Sequence, residues 1–234
     1  MADRFPAKGS GLARYAGVLS GVEINTSFYR PHKPETYARW AATTPEGFRF
    51  AVKAPKAATH ELRLVDAFEP IDRFLVETAA LGEKRGPVLL QLPPSLAFEH
   101  AVAARFLEGF RARYAGDATM EPRHASWFRA EADALLTAHR VARAAADPAP
   151  CPEAASPGGW SGLRYWGLHG SPRMYWSPYM DEALSALAES IQQAAAPAWV
   201  VFDNTASGAA AADALRLTAL LGAPPCVPTA KPEH

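Results

Sequence analysis

Short apolar runs alternate with segments of helical periodicity along most of the chain. The apolar runs predict strands at residues 21–25, 48–55, 88–94, 118–123, 140–147, 163–170 and 199–204. The segments with apolar residues at helical spacing predict helices at residues 12–21, 34–44, 66–82, 99–114, 127–139, from Asp181 onward, and 207–221. This alternation is typical of a parallel sheet that is covered by helices.

Seven predicted strands at this spacing favour an α/β fold of the (β/α)8 TIM-barrel type over an open doubly wound sheet. No G-x-G-x-x-G follows any strand, which counts against a dinucleotide-binding sheet. A barrel normally opens with a strand, yet residues 1–11 contain no strand-like run. We therefore predict one barrel domain over residues 1–234, with seven core parallel strands, no first strand, and a loose tail over residues 224–234.

Composition narrows the possible partners. The chain has 234 residues, 49% of them hydrophobic, which is enough for one sizeable core. Lysine plus arginine equals aspartate plus glutamate at 24 each, so no net charge draws the protein to nucleic acid or to a membrane surface. Without a secretory signal or a disulfide framework, since Cys151 and Cys226 lie far apart, we expect a cytoplasmic protein.

Polar residues end the predicted strands, where barrels of this type place their active sites. Strand alternation puts Glu23 and Asn25 on one face, and it puts Lys53 on the face opposite the bulky apolar residues of its strand. Glu121 and Arg123 share a face in the same way. Three further strands end in polar residues: Gln91, His169, and Asp203 with Asn204.

Each of these residues also has a purely structural interpretation. Glu23 can form a buried ion pair with Lys53 or Arg123, and such a pair perturbs pKa values without catalysis. Gln91, which precedes two prolines, can satisfy loop amides. Strand alternation does not choose between Asp203 and Asn204, and most of the aromatic residues fit a packed core.

Six stretches resemble the domain of unknown function 72 family, also called YecE-like. They are VEINTSFYRP, PEGFRFAVKAPKAATHE, LLQLPPSL, MEPRHASWF, LHGSPRMYWSPY and VFDNTASGAA. Their order and spacing match over residues 5 to about 221. The resemblance implies a (β/α)8 barrel and no established reaction. Members usually begin with a strand similar to R-I-G-T-S-G-W, which this sequence does not contain.

The resemblance also selects polar positions. By motif, the recurrent polar residues fall on Glu23, Asn25, Tyr29, Lys53, His60, Gln91, Glu121, Arg123, His124, His169 and Asn204. The match favours Asn204 over Asp203, because the family motif has an asparagine before the threonine.

These residues suggest a hydrolase or lyase that acts on a small anionic or phosphorylated substrate. Glu23, Glu121 and His169 are the candidate catalytic residues, with carboxylates as general base. The candidate substrate-binding residues are Asn25, Tyr29, Lys53, His60, Gln91, Arg123, His124 and Asn204. No cofactor is expected.

Two alternatives remain open at this point. One is a metal-dependent barrel enzyme, in which Glu23, Glu121, His169 and Asp203 supply a mixed oxygen and nitrogen shell for a divalent metal. The other is a non-enzymatic nucleic-acid-binding protein, in which aromatic residues interleaved with arginine stack on bases. Neither H-x-H nor H-E-x-x-H spacing supports the first, and net charge gives no support to the second.

Overall fold

The computed structural model describes residues 4–222, so the predicted loose tail at 224–234 lies outside the described residues. Within them, nine strand segments alternate with helices. The strands are β1 Gly21–Ile24, β2 Arg49–Lys53, β3 Arg85–Gln91, β4 Ala118–Glu121, β5 Ala142–Arg143, β6 Ala145–Asp147, β7 Gly158–Gly159, β8 Arg164–Leu168 and β9 Ala198–Phe202.

Helices connect successive strands and cover the outer face of the sheet. They are α1 Gly11–Ala16, α2 Thr26–Tyr29, α3 Pro34–Thr43, α4 Phe68–Thr78, α5 His100–Arg113, α6 Ala130–Ala138, α7 Asp181–Gln192 and α8 Ala209–Leu220. A π-helical turn spans Ala57–Glu61, and 3-10 turns span Ala79–Lys84, Ala125–Phe128 and Pro152–Ala155. No helix within residues 4–222 is both long and apolar enough to cross a bilayer.

The strands form a mostly parallel sheet in chain order. β1, β2, β3, β4 and β5 pair side by side in parallel, and β6, β8 and β9 form a second parallel run. Ala144 separates β5 from β6, so one interrupted strand joins the two runs. The backbone N–H of Ala144 still donates a hydrogen bond to the Met120 carbonyl of β4 at 2.8 Å. The sheet therefore has seven parallel positions, as the apolar runs predict.

Residues 148–162, which lie between the predicted strands 140–147 and 163–170, contain structure that the apolar pattern does not predict. β7 lies within this segment and pairs antiparallel with β5, with Arg143 opposite Gly158. Glycine is needed at Gly159, because its φ is 63° and a side chain there would lie 2.8 Å from the Val141 carbonyl oxygen. β7 thus adds an antiparallel partner to β5, the last strand of the first run.

Strand alternation separates two sets of core residues. Phe50, Val52 and Leu90 point outward into the large core beneath the helices. Ala51 and Leu89 point to the inner face, where they meet Ala144, Tyr165 and the partly buried Trp199. The inner face is thus packed with side chains, and the polar residues follow this packing at the carboxyl ends of the strands.

The sheet does not close within the described residues. β1 pairs with β2 and β9 pairs with β8, and no hydrogen bonds join β9 to β1. A cavity of about 680 Å³ lies along this gap, lined among others by Val22 and Glu23 of β1 and by Val201 and Phe202 of β9. The described part of the chain is therefore an open α/β sheet, and a closed barrel is not seen in it.

The substitution Leu90→Ala tests the outer core. Leu90 is fully buried in the core beneath the helices. Because truncation leaves a cavity in close-packed surroundings, we expect a loss of about 3 kcal/mol in the free energy of unfolding, measured by urea titration. Val76→Ala is the control, since the Val76 side chain is 70% exposed and its truncation is expected to change little. Equal losses in the two variants would contradict the packing described here.

Candidate active site

Inner-face residues of neighbouring strands place five polar side chains at the carboxyl ends of the sheet. Glu23 lies on β1, Lys53 ends β2, and Gln91 and Glu121 lie opposite each other in the register of β3 and β4. His169 follows β8 directly. The sequence interpretation of a polar group at the strand ends therefore agrees with where these residues lie.

Glu121 is the most buried carboxylate of this group, with 2% of its surface exposed. Its Oε1 contacts the Arg123 guanidinium and accepts a hydrogen bond from Gln91 Nε2 at 3.2 Å. Burial alone would raise its pKa, but His169, Arg123 and Lys53 outweigh burial and lower the pKa to about 2. Glu121 is therefore ionised throughout the neutral range.

His169 lies between Glu121, Arg123 and Asp203. Its Nδ1 is 3.3 Å from Asp203 Oδ2, and its Nε2 is 2.9 Å from Arg123 Nη2. Although burial lowers the pKa of His169, hydrogen bonds with Asp203 and Glu121 raise it to about 9. A guanidinium only donates, so the Arg123 contact requires an unprotonated Nε2. The Arg123 contact therefore favours the neutral ring with its proton on Nδ1, facing Asp203, whereas the two carboxylates favour the protonated ring, so protonation of Nε2 requires Arg123 to move away.

Glu23 has the opposite electrostatic environment to Glu121. The Tyr165 hydroxyl donates to Glu23 Oε2. Burial raises the pKa of Glu23 to about 7, with Tyr165 and Lys53 opposing the rise and Glu121 adding to it. Two carboxylates in one site therefore have pKa values on opposite sides of the ordinary glutamate value. Environments of this kind separate acid and base roles in enzymes.

Lys53 is a cation without a hydrogen-bonded anion. Its ammonium lies 4.7 Å from the centre of the Phe28 ring, and among the described residues it has no hydrogen-bond partner. His60 packs edge-on against the same ring at 4.9 Å, and its Nδ1 is 2.9 Å from Thr59 Oγ1. Burial and the nearby Lys53 lower the pKa of His60, which favours its neutral form.

Four other predicted residues make no hydrogen bond to this group. Tyr29 is 71% exposed and lines a separate surface pocket of about 190 Å³. Asn25 lines the gap between β1 and β9. His124 begins a 3-10 turn, with its Nδ1 accepting from the Ser126 backbone N–H at 3.2 Å. Asn204 is fully buried and supports a loop, as described below.

Two residues of the site are absent from the candidate catalytic and substrate-binding residues. Tyr165 belongs to the aromatic residues that fit either a pocket or the core, and its alternation with Gly167 and His169 is the signal that places it on the inner face. The family motif favours Asn204 over Asp203, but Asp203 is the one that contacts His169.

The predicted metal ligands do not form a metal centre. Among residues 4–222, no three or more His, Cys, Asp or Glu residues are grouped so that they could hold a metal ion. The Glu121 carboxylate is occupied by Arg123, and the Glu23 carboxylate by Tyr165. The described residues therefore do not fit the proposed divalent metal.

Comparison with known proteins gives one family. A family model described as "Protein of unknown function DUF72" matches residues 3–234. The UPF0759 protein YecE of Escherichia coli K12 is 34% identical over 84 residues, which are 36% of this chain and 31% of the relative. The matched stretch thus spans about a third of that curated relative's length.

Solved structures share the fold. The crystal structure of a DUF72 family protein from Enterococcus faecalis V583 matches with a TM-score of 0.82 at 21% identity, covering 99% of this chain and 95% of the other. A DUF72 family protein from Thermotoga maritima MSB8 matches with a TM-score of 0.70 at 24% identity, covering 87% and 85%. At these identities the likeness concerns the fold alone.

The substitution Arg123→Ala tests whether the Glu121 charge depends on its cation. It leaves a buried carboxylate unpaired, so we expect the free energy of unfolding to fall by about 3 to 5 kcal/mol in urea titrations. Arg105→Ala is the matched control, because the Arg105–Asp66 pair is exposed and is worth about 0 to 1 kcal/mol. Adding Glu121→Gln to Arg123→Ala should recover part of the loss. A loss in Arg123→Ala no larger than in Arg105→Ala would argue against the pairing.

The substitution Glu23→Gln tests the raised pKa of Glu23. A carboxyl whose pKa rises from 4.5 to about 7 on folding stabilises the fold fully below 4.5, and this contribution is lost as pH rises towards 7. We therefore expect Glu23→Gln to become more stable relative to the parent between about pH 5 and about pH 8, measured by urea titration at each pH. The exposed control Glu108→Gln should show no such trend. A parallel trend in both variants would rule out the assignment.

Proposed function

Because the chain belongs to the DUF72 family, whose description gives no activity, we propose its function from the strand-end site: hydrolysis or elimination on a small anionic substrate, most suitably a phosphorylated one. The observation that carries the proposal is the arrangement of two carboxylates near Lys53, with the Tyr165 hydroxyl on Glu23 and the Arg123 guanidinium on Glu121. In this arrangement burial raises the pKa of Glu23 to about 7, and the cations lower the pKa of Glu121 to about 2. A group with a pKa near neutrality both takes and returns a proton efficiently.

Glu23 is the proposed proton-transfer group. In hydrolysis it takes a proton from the attacking water. In elimination it takes a proton from the carbon adjacent to the one that bears the leaving group, so that a C=C bond forms as the leaving group departs. The Tyr165 hydroxyl orients its carboxylate. Glu121 stays ionised and serves a different purpose, which is to fix Arg123 and Gln91 at the site.

Two cations are suited to an anionic group of the substrate. The Lys53 ammonium has no hydrogen-bonded partner among the described residues, and the buried Arg123 Nε has none either. Cations fixed before the substrate arrives stabilise charge that develops during the reaction. If Arg123 turns towards the substrate, His169 Nε2 is freed to exchange a proton while Nδ1 stays against Asp203.

The (β/α)8 barrel also belongs to this proposal. The described strands occupy seven parallel positions, and the edges of β1 and β9 border the same cavity of about 680 Å³. One further strand in this gap would satisfy both edges and close the sheet. Fold similarity to DUF72 crystal structures supports the α/β arrangement, and closure is our extension of it.

The substitution Lys53→Ala tests anion binding. Removing the unpaired ammonium should weaken binding of inorganic phosphate and sugar phosphates by about tenfold or more, measured by isothermal titration calorimetry, since a charge-assisted hydrogen bond is lost. Lys56→Ala is the matched control, because Lys56 pairs with Glu61 and is half exposed. Glu23→Gln should retain binding and lose any turnover found in a screen for phosphate release. Unchanged binding in Lys53→Ala for every ligand would refute the proposal.

A further inference from the structure

The loop between β8 and α7 points to a second subsite beside the strand ends. We propose that Tyr175 and Trp176 of this loop bind a planar aromatic ring of the phosphorylated substrate, which makes nucleoside phosphates its substrate class. The inference rests on the proposed function, because it concerns the same site.

Large apolar side chains of the loop are exposed. Met174, Tyr175 and Trp176 are 41%, 48% and 46% exposed, and they are consecutive in the chain. Single exposed apolar residues are common on protein surfaces, but a contiguous group beside a polar site is typical of a binding surface.

The loop is held in place by its backbone. Tyr175 has a φ of 63°, a left-handed backbone conformation that residues other than glycine rarely adopt. Its N–H donates to the His169 carbonyl at 2.5 Å, and its own carbonyl accepts from Ala206 N at 3.0 Å. The Trp176 carbonyl accepts from the Ser207 hydroxyl. Strained residues held by their surroundings in this way are concentrated at functional sites.

A buried polar network supports the loop from below. Asn204 Nδ2 donates to the Ser177 carbonyl at 2.9 Å and to Asp213 Oδ2 at 2.6 Å. The Tyr179 hydroxyl donates to Asp147 Oδ2 at 2.7 Å and accepts from Gly170 N at 2.9 Å. This network explains the burial of Asn204 and assigns it a positioning role. These hydrogen bonds therefore fix the backbone of the loop that carries the two exposed rings.

The exposed rings lie next to the residues proposed to bind the anion. The Tyr175 ring packs edge-on against the His169 ring at 5.6 Å, and His169 Nε2 lies 2.9 Å from Arg123. On the outer side, the Arg173 guanidinium lies 4.7 Å from the Trp176 ring centre. Within residues 4–222, Arg173 has no carboxylate partner.

This combination of groups selects the ligand chemistry. An aromatic face binds a flat ring by stacking, and an arginine beside it adds attraction for both the ring and a phosphate. A purely aliphatic ligand would gain nothing from Arg173, and inorganic phosphate would gain nothing from the rings. A nucleoside phosphate uses both the rings and the cations.

Four probes separate the two subsites by isothermal titration calorimetry: inorganic phosphate, ribose phosphate, adenosine and adenosine monophosphate. In the parent protein we expect adenosine monophosphate to bind about tenfold tighter than ribose phosphate, the usual contribution of one stacked base. In Tyr175→Leu and Trp176→Leu, the ratio of the affinity for adenosine monophosphate to that for ribose phosphate should fall towards one. The affinity for inorganic phosphate should stay unchanged. Tyr175→Phe retains the ring and should retain the advantage.

The outcomes separate this inference from the proposed function. Equal binding of adenosine monophosphate and ribose phosphate, or an advantage that survives both leucine variants, overturns the ring subsite alone. Ring-dependent binding of adenosine without binding of any phosphate supports the subsite and overturns the proposed function, and no binding of any probe overturns both. A single-stranded oligonucleotide that binds far tighter than adenosine monophosphate would overturn nucleoside phosphates as the substrate class.

Discussion

The candidate site depends on the burial of one charge, that of Glu121. With 2% of its surface exposed, this carboxylate is ionised only because Arg123, His169 and Lys53 are placed around it. The sequence provides the nearest cation locally. Pro122 keeps the residue before it out of helical geometry, so the strand leaves extended and Glu121 and Arg123 share one face. Loss of that cation would leave a buried charge unpaired, which few folds tolerate.

The same charge influences how its neighbours titrate. Burial is the largest cause of the raised pKa of Glu23, ionised Glu121 adds to the rise, and the Tyr165 hydroxyl and Lys53 oppose it. Arg123 links this pair to His169, because the guanidinium contacts Glu121 and donates to Nε2. Movement of Arg123 towards an anion would therefore change both His169 and Glu121. The site is a coupled group of charges, in which no side chain has an independent role.

Much of the fold and part of the site could be predicted from the sequence, because the underlying signals are local. Alternation along β2 separates Val52 from Lys53, and it gave the correct inner and outer faces without knowledge of contacts. The pairing of β5 with β7 and the support of the loop by Asn204 depend on partners distant in sequence. Tyr165 lies in an apolar strand and fits a packed core, so the sequence does not predict that its hydroxyl contacts Glu23.

The gap between β1 and β9 connects stability to chemistry. Glu23 lies on β1, whose second edge is unpaired among the described residues, and both Glu23 and Asp203 line the cavity there. Burial is the largest cause of the raised pKa of Glu23, so this pKa depends on how much water the gap admits. A strand that filled the gap would exclude water and raise the pKa further, whereas an open edge gives solvent a route to the carboxylate. The proposed proton-transfer group therefore lies on an edge strand, which within the described residues pairs with one neighbouring strand, and closure of the sheet would tune its acidity as well as its stability.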